Sequence, residues 1–277
     1  MLRATGGHTI RENKVKRQWR EGQPSVGTWL CLGNPLAAEI LAHVGFDWLT
    51  VDMEHNAIDL ADTQALLQAI ATTDTMPFVR VPWNDPQIIK RVLDIGAYGV
   101  VIPNVLDRRE AEQAVAACRY PPDGIRGVGT LRGRLYGGPD YTDAANREIA
   151  VIAMIEHIDA VNQAEDIIST PGVDAIFIGP NDLAASMGLP LGLDNPHPEH
   201  QKAVAHVLAT GKRLGVPVGI HCGGFEAVNQ RIAEGFLWLA LSTDAGLMAE
   251  AAHGAFQRLN TTAGAEARRA ARRGVAE

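Results

Sequence analysis

Gly172-Val173-Asp174-Ala175-Ile176-Phe177-Ile178-Gly179-Pro180-Asn181-Asp182 holds a helix stop, a buried strand and an acid at the strand's far end. Glycine just past a helix adopts the left-handed conformation that other residues resist, so Gly172 reads as a stop before a strand. The same join recurs at Gly45-Phe46, Gly96-Ala97, Gly215-Val216 and Gly235-Phe236. Repeated joins of this kind imply alternating helices and strands, hence a parallel sheet. Strands are expected at about 26–31, 47–52, 77–81, 98–102, 150–155, 174–178, 217–221 and 236–241. Most are near-continuous apolar runs, as strands covered on both faces require. Leu36, Ile40, Leu41 and Val44 share one helical face between two of them, as do Ile88, Val92 and Ile95, and Asp85-Pro86 reads as an N-cap with proline in the first turn.

Eight strand candidates favour a closed (β/α)8 TIM barrel over an open doubly wound sheet. The latter needs a glycine-rich phosphate turn after its first strand, and Gly33-Asn34-Pro35 matches it poorly. The 277 residues, 46% of them hydrophobic, suffice for one barrel of about 250 residues. The expected organisation is a single barrel domain over 1–277, with a helical extension over about 1–22 and a tail from about 260 to 277. Two longer segments, 120–148 and 186–200, are expected to shape a pocket at the strand C-terminal ends.

A net charge of −7 argues against a nucleic-acid groove. The polar N-terminus carries no signal or membrane segment, and Cys31, Cys118 and Cys222 lack disulfide or zinc spacing. A cytoplasmic protein without nucleic-acid or membrane partners is expected.

The chemistry sits at strand ends. Glu156 follows Val-Ile-Ala-Met-Ile and Asp182 follows Ile-Phe-Ile-Gly-Pro-Asn, so on adjacent strands both carboxylates can meet one hard cation; alternatively they cap the following helices. His55, after Asp52-Met53-Glu54, suits a general base near neutral pH, with Asp94 a candidate to fix its tautomer; a surface loop histidine is the other reading. Arg80 closes a buried strand, which calls for an anionic partner: substrate, or Asp52 or Glu54. Free amides around Gly179, Pro180 and Asn181, and after Gly223-Gly224, suit a carboxylate. By composition Trp29 reads as core, and His221 points either into the barrel mouth or into packing. Arg126, Arg132 and Arg134 are expected to be solvated. No lysine ends a strand among these sites, which disfavours a Schiff base.

Taken together, Gly27-Thr28-Trp29-Leu30, Asp52-Met53-Glu54-His55, Val79-Arg80, Tyr120-Pro121-Pro122-Asp123-Gly124-Ile125-Arg126-Gly127, Ile155-Glu156 and Phe177-Ile178-Gly179-Pro180-Asn181-Asp182-Leu183 resemble the metal-dependent class II pyruvate aldolases. The similarity runs in order from about residue 20 to residue 250. It implies a homohexamer, a trimer of dimers, with the last helix exchanged between subunits. It also implies that Glu156 and Asp182 ligate Mg²⁺, Mn²⁺ or Co²⁺, which chelates pyruvate or a related 2-oxo acid.

In that resemblance Arg80 stabilises the enolate oxygen. His55, oriented by Asp94, moves the proton between water at the metal and the aldol hydroxyl. Amides around Gly179, Pro180, Asn181 and Asp182 hold the carboxylate, Trp29 lies against the methyl, and Asp52 and Glu54 support from behind. Two positions depart from the family pattern. Met154 stands where many members carry glutamine, and His221 replaces a bulky apolar residue facing the substrate. The implied reaction is reversible addition of a pyruvate enolate to an aldehyde. Oxaloacetate decarboxylation, cleavage of a CoA thioester and non-catalytic binding of a keto acid are the alternatives.

Overall fold

The apolar runs close on themselves. In the computed structural model, which describes residues 10–264 together with Glu266 and Ala270, eight parallel strands form a closed barrel. They are β1 (Ser25–Leu30), β2 (Trp48–Asp52), β3 (Met76–Arg80), β4 (Gly99–Ile102), β5 (Ala150–Ile155), β6 (Ala175–Ile178), β7 (Val218–Cys222) and β8 (Trp238–Thr243). Each strand pairs with its neighbour in sequence, and β8 closes on β1. All five join glycines have positive φ, from 71° at Gly215 to 108° at Gly45, as the helix-stop reading requires.

Helix α1 (Lys14–Arg20) precedes β1. The outer helices are α2 (Pro35–Ala42), α3 (Leu60–Ile70), α4 (Pro86–Asp94) and α5 (Arg108–Cys118), with α6 (Arg132–Gly137) and α7 (Tyr141–Glu148) before β5. After β5 come α8 (Ile158–Asn162) and α9 (Ala164–Ile168), then α10 (Pro180–Ser186), α11 (Pro198–Leu214), α12 (Phe225–Glu234) and α13 (Asp244–Gln257). Asp85 caps α4 through Gln87 N–H with Pro86 in the first turn, as its sequence indicates.

Aromatic rings fill the barrel interior. Trp238 lies 4.7 Å from both Trp48 and Phe177, centroid to centroid, and Trp48 stacks on Phe78 at 6.3 Å. Glycines on neighbouring strands make room for them: a Cβ at Gly27 would overlap Trp48, and one at Gly219 would overlap Trp238. Both collisions include a backbone carbonyl, which cannot swing aside. Gly27→Ala is therefore expected to cost about 3 kcal/mol, the upper range for an overpacked core, read from a urea melt against wild type.

Two expectations are corrected by the architecture. Residues 120–148 follow α5 and precede β5, so they lie at the N-terminal end of the barrel, away from the strand ends that carry the acids. Segment length alone does not tell which end of a strand a connection serves. Within that segment Arg126 is not solvated: it is 1% exposed, donates to Asp94 Oδ1 at 2.9 Å and Tyr141 Oη at 3.2 Å, and stacks on Tyr120. Arg132 likewise donates to the carbonyls of Ile95 and Leu67, whereas Arg134 is exposed.

Most of the apolar stripe of α2 also faces away from the barrel, Leu41 alone of its four residues packing on the core. Ala38 and Ala42 are buried, while Leu36 and Ile40, with Val44 just beyond the helix, are each more than half exposed. Helix α13 shows the same habit, with Met248 and Phe256 exposed. Residues 1–9 and most of the tail beyond 264 lie outside the described residues.

Candidate active site

Strand register brings the acids together. Ile155 pairs with Ile178, so Glu156 and Gly179 leave neighbouring strands side by side, and Asp182 follows one turn into α10. On the other side of the barrel mouth Asp52 pairs with Arg80 in register across β2 and β3. That placement decides the state of Arg80. Its Nε and Nη2 each donate to Asp52 at 2.8 Å, its Nη1 lies 3.2 Å from Glu54 Oε2, and its Cζ sits 4.5 Å over the Trp29 ring. Burial works against the charge, but the Asp52 carboxylate outweighs it and raises the Arg80 pKa. Arg80 is ion-paired with both Asp52 and Glu54, and its hydrogen bonds to Asp52 use two of its five N–H groups.

Asp52 is held in turn by Asn56 Nδ2 (2.6 Å) and Glu54 N–H (3.1 Å). Glu156 is 4% exposed, and its Oε1 accepts from Asn104 N–H at 2.8 Å. The helix after Glu156 is capped by His157, so Glu156 is not a helix cap. Asp182 is exposed and takes no partner among the described residues. Gly179 lies directly beside Glu156: a Cβ there would overlap Oε2, and Met154 Cε stands 3.3 Å from the same point.

Electrostatics mark this cluster as short of positive charge. Burial pushes Glu156 up to about 7; the Asn104 N–H opposes this, while Glu54 and Asp182 add to it. Burial likewise raises Glu54 to about 7, against the pull of Arg80, with Asp52 and Asp182 contributing. Glu54 Oε2 is buried without a hydrogen bond. Asp52, Glu54, Glu156 and Asp182 thus face a single guanidinium. A hard divalent cation fits that imbalance and the all-oxygen donor set. Among the described residues no group of three or more His, Cys, Asp or Glu is gathered closely enough to hold a metal.

The remaining candidates divide. His55 is half-exposed, with Nε2 3.6 Å from Glu54 Oε2. A His55–Asp94 pair is not made within the chain: Asp94 ends α4 at the opposite end of the barrel and is taken by Arg126. Asn181 Oδ1 accepts from Gly192 N–H and Pro180 O from His200 Nε2, tying the 186–200 segment to the mouth. Trp29 is 2% exposed, a core residue whose ring nonetheless carries Arg80 at 4.5 Å. His221, the last residue but one of β7, has Nε2 3.0 Å from Ser242 O and its ring 6.1 Å from Trp29. Two contributors went unread in the sequence, Asn104 and Ser242. Among the described residues they are the non-glycine positions with positive φ, at 53° and 52°, and each grips a side chain of the mouth.

The cleft of about 470 Å³ at the other end of the barrel offers less. Its Lys16 and Arg119 are both engaged by Asp174, at 2.7 and 2.9 Å.

A closed parallel barrel with carboxylates and one locked guanidinium converging at its strand ends defines a metal-dependent barrel enzyme suited to enolate chemistry. The chain belongs to the HpcH/HpaI aldolase/citrate lyase family, whose profile matches residues 25–251, and it is a class II aldolase, a carbon–carbon lyase. It is similar to the 5-keto-4-deoxy-D-glucarate aldolase of Klebsiella pneumoniae subsp. pneumoniae, 41% identical over 88% of this chain and 95% of that protein. The hydroxypyruvate/pyruvate aldolase of Paraburkholderia phytofirmans is 40% identical over 90% of this chain and 98% of its own length. The crystal structure of a family protein from Burkholderia cenocepacia superposes with a TM-score of 0.85 at 41% identity, covering 90% of this chain and 100% of that one. The described helices include none long and apolar enough to cross a membrane.

Proposed function

We propose that the enzyme adds the enolate of pyruvate or a close 2-oxo acid to an aldehyde, and in reverse cleaves 4-hydroxy-2-oxo acids. The observation that carries this reading is the excess of carboxylate at the mouth, set around a guanidinium already locked in place by Asp52. Glu156 and Asp182 would hold the divalent cation, Mg²⁺, Mn²⁺ or Co²⁺. When bound, the cation polarises the donor's keto group and lowers the cost of the enolate.

Arg80 turns its remaining N–H groups to the enolate oxygen, where negative charge develops. Proline at the first position of α10 has no N–H, so the Asn181 and Asp182 amides take the donor carboxylate. Trp29 gives the C3 side an apolar floor. In the forward direction a C3–H bond breaks, its electron pair becomes the enolate and its proton passes to a base at the site, a water molecule; C3 then bonds to the aldehyde carbon, and the aldehyde oxygen takes up a proton relayed from that water, so none is gained or lost overall. His55 Nε2 carries that proton, steadied by an Asp94 from a second copy of the chain, since its own lies at the other end of the barrel. Asp52 and Glu54 keep Arg80 in place, and Met154 fills the wall beside Gly179 with a thioether in place of an amide.

The outward apolar residues of α2 and α13 support assembly into a hexamer with exchanged C-terminal helices. Three free cysteines suit a reducing cytosol. The single barrel domain over 1–277 belongs to the same reading. The names of the relatives put hydroxypyruvate, pyruvate and 5-keto-4-deoxy-D-glucarate first among compounds to try.

Exchange of pyruvate's methyl protons in D₂O, followed by NMR with Mg²⁺ or Mn²⁺ and then with EDTA, tests enolate formation without knowing the aldehyde. Metal-dependent exchange is expected. A folded, metal-loaded protein that exchanges neither pyruvate nor hydroxypyruvate protons is not an aldolase of this kind.

A further inference from the structure

The wall of the mouth between β6 and β1 is not wholly apolar. Trp29 lies at its centre, with Phe177 at 5.3 Å on one side, Arg80 at 4.5 Å above and His221 at 6.1 Å on the other. With the donor's carboxylate at α10 and its keto oxygen toward Arg80, the remaining substituent on C2, carbon C3, faces Trp29 and His221. What His221 offers there follows from its other contact. Its Nε2 lies 3.0 Å from Ser242 O, and a carbonyl oxygen only accepts, so Nε2 carries the hydrogen. Burial and the nearby Arg80 push the imidazole down to about 4, against the Ser242 bond, so the ring stays neutral at pH 7. In a neutral ring with hydrogen on Nε2, Nδ1 keeps its lone pair, and among the described residues the ring's hydrogen bond is made by Nε2 and not by Nδ1.

The hold on this ring is itself constructed. Ser242 presents its carbonyl from a positive-φ backbone, φ 52°, which a serine adopts only under constraint. The matching residue, Asn104, holds Glu156 in the same manner. One strained backbone position thus serves a candidate metal ligand and the other serves His221.

We propose that His221 is a specificity-determining residue for the donor, its Nδ1 accepting a hydrogen bond from a hydroxyl on C3 and so favouring 3-hydroxylated 2-oxo acids over pyruvate. This inference rests on the aldolase reading above. A methyl group cannot satisfy Nδ1, and binding pyruvate strips water from it, whereas a C3 hydroxyl replaces the lost bond. A hydrogen bond of ordinary net strength corresponds to about a tenfold preference.

The test compares metal-dependent C3 proton exchange in D₂O for hydroxypyruvate and pyruvate, in wild type, His221→Phe and His221→Asn. Phenylalanine keeps a ring against Trp29 without an acceptor, and asparagine keeps an acceptor in a smaller side chain. The hydroxypyruvate-to-pyruvate ratio of kcat/KM is expected to fall about tenfold in His221→Phe and to stay closer to wild type in His221→Asn. An unchanged ratio in His221→Phe would overturn the assignment, as would an equal fall in both variants, which marks loss of shape and not of an acceptor. Should the Phe variant fail to fold by circular dichroism, His221→Leu takes its place with the same expected ratio. Exchange of neither donor by wild type would sink the aldolase reading itself, and is told apart because no ratio then exists.

Discussion

Glu156→Gln is expected to slow metal-dependent exchange of pyruvate's methyl protons by about 10²–10³-fold, the usual scale for removing one preorganised electrostatic contact. The barrel should nonetheless remain folded. Glutamine keeps the size of the side chain, and its carbonyl oxygen can still accept from Asn104 N–H, the bond that now fixes Glu156 Oε1. In the metal-free protein the change should even stabilise, because it removes a carboxylate that burial, with Glu54 and Asp182 nearby, disfavours in its charged form. The pH dependence follows from the sign of the shift. Burial and the neighbouring acids hold the Glu156 pKa at about 7 in the folded chain, above its unfolded value, so folding favours the protonated form. The associated stability is fully present below the unfolded pKa and is lost as pH rises through about 7. Melting temperatures in EDTA should therefore show the variant gaining on wild type as pH rises from about 4.5 to about 7 and holding that gain above it, with added Mn²⁺ reversing the order. A variant as active as wild type, or one that still gains stability from Mn²⁺ as wild type does, would remove Glu156 from the site.

The barrel itself was legible because five of the eight strands follow a left-handed glycine, and most are runs too apolar for anything but a double-sided interior. The position of Glu156, Asp182 and Arg80 at the mouth was legible for a related reason, since each closes or closely follows such a run; the partner of Arg80, left open between a substrate and Asp52 or Glu54, is in this structure Asp52 with Glu54. What escaped depends on partners distant in sequence. The period of α2 makes Leu36, Ile40, Leu41 and Val44 a stripe, but says nothing of what covers it: Leu41 joins Ala38 and Ala42 against the barrel, while the other three are exposed. Arg126 looks like a loop cation until Asp94 and Tyr141 are seen to receive it. His55 and Asp94 lie 39 positions apart in a chain that sends them to opposite ends of the barrel. Asn104 was the one missed residue with a usable signal, because asparagine tolerates positive φ better than most and here follows a strand and a proline. Ser242 carried none, for serine gains a left-handed conformation only from the contacts around it.

Arg80→Met is expected to remove both activity and much of the stability, and the two losses can be separated. Asp52 is 2% exposed, and Arg80 is the cation that neutralises it through two bonds of 2.8 Å. Removing one member of a buried pair leaves the other charged in a poor solvent, at a cost of about 3–5 kcal/mol. For a chain of this size that is roughly a 10 °C fall in melting temperature. Asp52→Asn alone should cost less, because Arg80 retains Glu54 at 3.2 Å. The double variant Arg80→Met/Asp52→Asn removes both charges together and should recover most of the lost stability, giving a coupling energy well above that of an exposed pair. Activity should not recover with it. If the guanidinium acts only by holding Asp52, the repaired protein would again exchange pyruvate's protons; if it meets the enolate oxygen, exchange stays lost in a protein that melts near the wild-type temperature. Arg80→Lys sharpens the distinction, since an ammonium keeps the charge but cannot satisfy both oxygens of Asp52 while also facing the substrate. Its exchange rate should lie between wild type and Arg80→Met, and a rate equal to wild type would show that charge alone, without the fork of donors, is what the site requires.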